Sequence, residues 1–334
     1  MAFTVCRIIF FIISIVGLSF SIPIATAIFC HEYFVLPSFL IPMVASLILG
    51  SMTIFFFRNK KSRLTIRSSF AAVALAWISA SVFGAIPLYF SKAIPNFTDA
   101  FFESVSGFTT TGATILSEIE KLPRSINLWR CLSHWLGGMG IVALTVALMP
   151  VLGVGGFQLI KAETTGPEKG KFTPKITTTA KILWFIYLGM TLVQTALLKI
   201  AGMDFIDALC HAFSTLGTGG FSTRNASIGA YNSASIEWIC FAFMFLAGIN
   251  FSLYYYFFTR NFSEIKCNSE LKAYIWINVI SIVAIAIIQS SSYGGFFKSL
   301  RFSAFQTASI LTTTGFSTAD YTKWKSASQI VILM

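Results

Sequence analysis

Charge is scarce in this chain. Of 334 residues only 11% are charged, against 55% hydrophobic, and the mean hydropathy is +0.76. That leaves too little polar material to cover a soluble globular domain and places the chain in a bilayer. Acidic groups are the scarcer sign, 13 Asp and Glu against 24 Lys and Arg, for a formal charge of +11. The excess does not indicate a nucleic-acid partner, because the basic residues do not interleave with aromatics along one exposed helix. They cluster in particular links between apolar stretches, so the charge is topological and its partner is the anionic headgroups of membrane lipids. Metal-ligand patterns are lacking too. Cys6, Cys30, Cys131, Cys210, Cys240 and Cys267 form no CxxC pair, and His31, His134 and His211 show no HExxH or paired spacing. The cysteines read as small apolar fillers and the histidines as polar helix-end or packing residues. No nucleophile, base or metal constellation lies within the apolar segments, so an enzyme is the least favoured class. The glycines at 137, 138, 140, 153, 155 and 156 lack the Lys-Ser/Thr of a phosphate loop, and close helix packing accounts for them better.

What is present is long apolar runs. They last about 20 residues instead of alternating in segments of about ten, which selects helices over a β-barrel. Two spans come first, residues 8–29 and 37–57, joined by a short link with Glu32 and no Lys or Arg. The next link holds Arg58, Lys60, Lys61, Arg63 and Arg67. The positive-inside rule makes this link cytoplasmic, and with it the amino terminus that carries Arg7. A cleaved signal peptide over residues 1–30 is the competing reading, but the apolar stretch outruns the roughly 7–15 residues of a signal core.

From residue 69 a pattern repeats: a span, a short amphipathic segment, a Thr/Gly turn and a second span. The first unit places these at 69–90, 96–108, 109–114 and 126–151. The second has 182–200, 204–216, 217–222 and 235–258. A third has 273–288, 296–311 and 312–317, then a helix beginning near Lys323. The lysine-rich segment 153–181 reads as a second cytoplasmic link, and the link with Arg260, Lys266 and Lys272 agrees. All three turns then face the extracytoplasmic side.

The turns align without gaps: Ser-Gly-Phe-Thr-Thr-Thr-Gly-Ala-Thr at 106–114, Ser-Thr-Leu-Gly-Thr-Gly-Gly-Phe-Ser at 214–222 and Ser-Ile-Leu-Thr-Thr-Thr-Gly-Phe-Ser at 309–317. The superposed glycines are Gly112, Gly220 and Gly315. Likeness extends upstream, where Asp99-Ala100 matches Asp207-Ala208 and Glu103, His211 and Gln306 share one aligned position. The segment before each turn is too short to span about 30 Å of hydrocarbon at about 1.5 Å per residue, so it enters the membrane and turns back. Non-helical backbone at that depth is tolerated where protein buries it or where it lines a watery cavity. Carbonyls turned toward an axis offer oxygens to a dehydrated cation, glycine reaches φ > 0 without a Cβ clash, and the helix C-terminus adds negative potential. A single such turn would be an ordinary connector. Three in matched context are a functional repeat. Asp99, Glu103, Glu118 and Glu120 near the first turn read either as a cation-concentrating mouth or as a solvated rim.

These motifs, with Trp-Leu-Gly-Gly-Met-Gly-Ile at 135–141, resemble the Trk/Ktr/HKT superfamily of potassium transporters, and most closely its TrkH-type subunits. The likeness covers essentially the whole chain. It implies an all-α integral membrane protein in which four K⁺-channel-like span–loop–span repeats surround one potassium path. It also implies that K⁺ is the transported ion, with no covalently bound cofactor. By motif position the ion-binding backbone carbonyls belong to Thr110, Thr111, Gly112, Thr218, Gly219, Gly220, Thr313, Thr314 and Gly315. The resemblance further implies a multi-pass protein of the inner membrane, a homodimer, and a cytoplasmic nucleotide-binding regulatory subunit of the TrkA/KtrA kind.

The expected organisation is residues 1–67 for the two leading helices and the basic link, 68–160 for the first repeat, 161–265 for the second, and 266–334 for the third. A ring of four loops needs a fourth, and Met334 falls within the second helix of the third unit, so the expectation is a fragment or a truncated product. Two other functions stay open: a Na⁺- or H⁺-coupled carrier, which the few ionisable residues in the spans disfavour, and a non-conducting membrane scaffold.

Overall fold

The computed structural model describes residues 2–57, 66–140 and 176–333. The basic link at 58–65, the later part of the span expected at 126–151, and the lysine-rich segment up to residue 175 lie outside the described residues. Within them the chain is helical and contains no strand. It divides into two compact units. One comprises residues 1–109, 113–115 and 121–185, the other 110–112, 116–120 and 186–334.

In the first unit α1 (Ala2–Ser19) and α2 (Ser21–Phe29) form one span, followed by α3 (Leu36–Phe57) and α4 (Ile66–Phe90). Helices α1 and α3 approach at small residues. A Cβ at Gly17 would fall on Ser46 Oγ and one at Gly50 on Ser14 Oγ, while Ser14 donates to the carbonyl of Ser46 at 3.1 Å. Apolar side chains gain little from associating within lipid, so close approach through Gly and Ser, with hydroxyls bonded to backbone, holds such helices together.

The short α5 (Phe97–Phe108) begins at Asn96, whose side chain accepts the Thr98 amide at 3.0 Å. The next helix, α6 (Arg124–Gly138), receives an unusual cap. Glu32, in the link after α2, accepts the amides of Arg124 and Ser125 at 2.7 and 3.0 Å and the Ser125 hydroxyl at 2.6 Å. A carboxylate there satisfies orphan donors and suits the positive end of the helix. Trp129 fills the centre of the unit, its ring 4.6 Å from that of Phe20 and its Nε1–H donating to Gly84 O at 2.9 Å. At the Gly-Gly-Met-Gly run α6 ends at Gly138, and Gly140 takes φ +64°. Glycine here terminates a helix.

The second unit holds most of α7 (Ile176–Ile200), then α8 (Phe205–Leu216), α9 (Ala234–Ala247), α10 (Phe251–Phe258), α11 (Phe262–Cys267), α12 (Ser269–Gln289), α13 (Phe296–Leu311) and α14 (Ser326–Leu333). Its core gathers Leu198, Met203, Ala208, Ile236, Met244, Phe305 and Phe316. The span expected at 235–258 is not continuous, for α9 and α10 meet at 90°. Gly248 closes α9, and Asn250 starts α10 by accepting the Ser252 amide at 3.0 Å. The break frees carbonyls that lipid cannot satisfy. Tyrosines supply the donors: Tyr254 reaches Leu246 O at 2.7 Å and Tyr274 reaches Phe245 O at 2.9 Å. Among the described residues five helical segments remain long and apolar enough to cross a membrane unaided, and the bent pair of α9 and α10 makes a sixth.

Candidate functional site

Helices α5, α8 and α13 end at Phe108, Leu216 and Leu311, and the Thr/Gly turns begin at the next residue. Each is too short to span a membrane and is followed by irregular chain, the re-entrant arrangement read from the sequence. Two residues per turn adopt left-handed backbone. The glycines do so as expected, with φ of +75° at Gly112, +81° at Gly220 and +83° at Gly315. Threonines at the preceding matched position do so as well, with φ of +54° at Thr110, +50° at Thr218 and +57° at Thr313. Sequence reasoning assigned positive φ to glycine alone. A β-branched residue there is an outlier, and one that recurs three times is a strained conformation that its surroundings hold in place.

Capping explains the threonines. After α8, the Thr218 amide bonds to Thr215 O at 3.0 Å and the Gly219 amide to Ser214 O at 2.9 Å, which is a Schellman termination with Thr in the left-handed position usually given to glycine. After α13, Thr313 bonds to Ile310 O at 3.0 Å and Gly315 to Ser309 O at 3.2 Å. Alternation of left-handed residues with residues of negative φ turns successive amides to one side of the chain and successive carbonyls to the other. After α8 and α13 these amides face back to the helix. That leaves carbonyls as the ligands each turn can present.

The three turns lie against one another within the second unit. A Cβ on Gly112 would fall on the carbonyl oxygen of Gly219, and one on Gly220 would fall on the carbonyl oxygen of Thr314. A Cβ on Gly315 would meet nothing within 4 Å. The turns thus bring together backbone of Gly112 with Gly219 and of Gly220 with Thr314, and the other expected residues, Thr110, Thr111, Thr218, Thr313 and Gly315, stand in the same turns. Backbone carbonyls are the kind of ligand that can replace the hydration shell of a cation.

Polar side chains behind the turns were less legible. Glu103, 1% exposed, pairs with Arg130, also 1% exposed, whose Nε and Nη2 lie 2.8 and 2.6 Å from the same carboxylate oxygen. It accepts the Thr114 hydroxyl as well, at 2.9 Å. Glu103 is thus no rim group. The matched His211 is fully buried, with Nδ1 2.7 Å from Asp207 O and Nε2 2.9 Å from Ser222 Oγ. A carbonyl only accepts, so Nδ1 carries the proton and Nε2 accepts from Ser222. Gln194, on α7, donates to Thr215 Oγ1 at 2.9 Å, and Glu237 on α9 lies 3.0 Å from Arg301 on α13. The clue to the Glu103 pair was a carboxylate and a guanidinium in otherwise apolar segments, since buried charges need partners.

Outside the turns, Asn225 collects three bonds from the exit of the first loop. It accepts the Ile119 amide at 3.1 Å, donates its own amide to Glu120 at 2.7 Å, and donates its side-chain NH₂ to Ser117 O at 2.8 Å. Glu120 is therefore part of a clamp. Ser317, leaving the third turn, accepts the Gly229 amide at 3.1 Å and donates its own to Ser227 Oγ at 3.2 Å. In the same unit Asp207 accepts from Tyr231 at 2.9 Å and pairs with Arg224 at 3.4 Å, and burial pushes the Tyr231 hydroxyl well above its ordinary pKa.

Repeated short helices that end in turns packed on one another, among helices long and apolar enough to cross a membrane, define a multi-pass helical membrane protein. The family model described as "Cation transport protein", TrkH, matches residues 36–334. The chain belongs to the TrkH family. It is similar to the Trk system potassium uptake protein TrkH of Halomonas elongata, 41% identical over 282 residues, which cover 83% of this chain and 58% of that protein. The protein of that name from Escherichia coli K12 is 38% identical, over 86% of this chain and 61% of its own length. The crystal structure of the potassium transporter TrkH from Vibrio parahaemolyticus superposes with a TM-score of 0.84 at 33% identity, covering all of this chain and 69% of that one. The chain thus spans about three fifths of the length of the curated relatives it matches.

Proposed function

We propose that this chain forms part of a potassium uptake path across the inner membrane, and that the three turns supply filter segments in which backbone carbonyls replace the water around K⁺. The observation that carries the reading is the packing of one turn's glycine against the next turn's carbonyl, at Gly112 with Gly219 and at Gly220 with Thr314. Left-handed Thr and Gly at matched positions provide the carbonyl orientation such a filter requires. The names of the relatives, each a potassium uptake protein of a Trk system, support K⁺ as the cargo.

In this reading the amino terminus is cytoplasmic and the turns face outward. The protein works as a homodimer beside a cytoplasmic nucleotide-binding regulatory subunit, in keeping with relatives that carry the name of a system. The coupled-carrier reading gains nothing from the spans, because the carboxylates buried among the described residues, Glu103, Asp207 and Glu237, each face an arginine.

The test is growth and initial-rate uptake at low K⁺ in an uptake-deficient strain that expresses the full-length gene. The unaltered gene restores growth. Gly220→Val inserts normally and loses K⁺ uptake or its preference over Na⁺, because its side chain occupies the position of the Thr314 carbonyl. Unchanged K⁺ preference in that variant overturns the filter assignment.

A further inference from the structure

We infer that Glu103 is a positioning residue for ion selectivity: through Thr114 and Ile115 it fixes the limb that leaves Gly112, and so holds the first turn at the spacing that separates K⁺ from Na⁺. This rests on the filter reading above and adds to it a side chain that itself offers no ligand to the ion.

The geometry is specific. Glu103 lies on α5, three residues into the second turn of a helix that leads directly into Thr109 and Thr110. Its two carboxylate oxygens receive the Thr114 hydroxyl, at 2.9 and 3.1 Å, and one of them receives the Ile115 amide at 3.2 Å. The same side chain thus ties the descending limb back to the helix that delivers the ascending one. The strained stretch from Thr110 to Gly112 is clamped at both ends. Thr114 lies at the exposed exit of the turn, and its hydroxyl reaches inward to the buried carboxylate.

Arg130 completes the clamp from α6. It gives Nε and Nη2 to Glu103, a further Nη2 contact to Thr114 Oγ1 at 3.2 Å, and Nη1 to Asn127 at 3.0 Å. With its own partners satisfied, the guanidinium holds the carboxylate in one orientation. Burying such a pair is a poor way to gain stability, because desolvation offsets most of the attraction. What it supplies is a rigid acceptor at a defined place.

The second repeat uses the matched residue the same way. His211 reaches Ser222 across the same eleven-residue separation that joins Glu103 to Thr114. Two different chemistries therefore make one connection, from the middle of the short helix to the limb that leaves the turn. A connection that survives a change of residue type is explained by where it holds the chain.

The test compares Thr114→Val, Thr114→Ser and Gly112→Val in the full-length gene product. The readout is the ratio of K⁺ to Na⁺ uptake, which does not depend on how much protein reaches the membrane. Thr114→Val removes the hydroxyl and leaves the Glu103–Arg130 pair in place. Loss of the hydrogen bond from this hydroxyl to the buried carboxylate should lower the ratio about tenfold. Thr114→Ser restores the ratio, because the hydroxyl is the operative group. If Thr114→Val fails to insert, Thr114→Ala is read in the same way. A wild-type ratio in the inserted Val or Ala variant, or an equal loss in Thr114→Ser, overturns the assignment of Glu103. Gly112→Val separates the two levels: if it collapses the ratio while Thr114→Val does not, the filter stands and the clamp falls. If Gly112→Val leaves the ratio unchanged, both fall.

Discussion

The first and third turns share the sequence Thr-Thr-Thr-Gly and nearly the same backbone, with Thr110 and Thr313 at φ +54° and +57° and Gly112 and Gly315 at +75° and +83°. Their supports differ. Behind the first stands a buried ion pair that holds Thr114. Behind the third stand hydroxyls: Ser309 donates to Phe316 O at 2.6 Å, Thr312 and Thr314 share a bond of 2.8 Å, and Thr312 bonds back to Ala308 O at 2.7 Å. At the matched upstream position the third repeat has Gln306, whose buried Oε1 has no hydrogen-bond partner among the described residues. One local sequence therefore encodes the conformation, and tertiary partners that differ from repeat to repeat hold it there.

The largest effect should separate the two glycines. Gly112→Ala meets both a left-handed backbone and the carbonyl of Gly219, while Gly315→Ala meets the backbone cost alone. The first should abolish selective uptake. The second should carry about 1 kcal/mol of strain, or roughly a fivefold loss. Initial uptake rates per inserted molecule measure both. Equal loss in the two variants would mean that crowding at Gly112 contributes nothing beyond φ.

Next in size is the ion pair. Arg130→Met leaves Glu103 buried without its counter-charge, which costs about 3–5 kcal/mol in comparable cases. The expected outcome is a steep fall in thermal stability of the detergent-solubilised protein. The double variant Glu103→Leu/Arg130→Met should recover most of that stability, because no charge is left stranded, yet retain the selectivity defect of a released Thr114. Recovery of both properties together would reduce the pair to packing. This contrast has no counterpart behind the third turn, where the supports carry no charge.

The sequence made the repeated unit legible because its signals are local: an apolar run of spanning length, a short capped helix, then Thr and Gly. Hence the short helices at 97–108, 205–216 and 296–311 and the turns after them stand where the pattern placed them. Local signals failed where the decisive partner was distant in the chain. The break at Gly248 depends on Tyr274 reaching Phe245, and no periodicity in 235–258 records that donor. Glu103 reads from sequence as either a mouth group or a solvated rim group because its partner Arg130 lies 27 positions away, on another helix. The left-handed threonines went unread for another reason. Propensity assigns such φ values to glycine, and at Thr218 and Thr313 the hydrogen bonds of helix termination override it.

The smallest effect tests whether neutral supports matter less than charged ones. Ser309 is fully buried and gives the third turn one short hydrogen bond, to the carbonyl of a residue that packs in the core of the second unit. Ser309→Ala removes that donor and leaves the Thr312–Thr314 bond and the Gly229–Ser317 clamp in place. A single neutral hydrogen bond inside a membrane protein contributes about 0.5–1.5 kcal/mol, and neighbours take up part of its loss. The variant should therefore show a small drop in thermal stability and a K⁺ to Na⁺ uptake ratio within about twofold of wild type, well short of the change expected for Thr114→Val. A selectivity loss in Ser309→Ala as large as that in Thr114→Val would show that each turn depends equally on its hidden support, whatever the charge of the residue behind it.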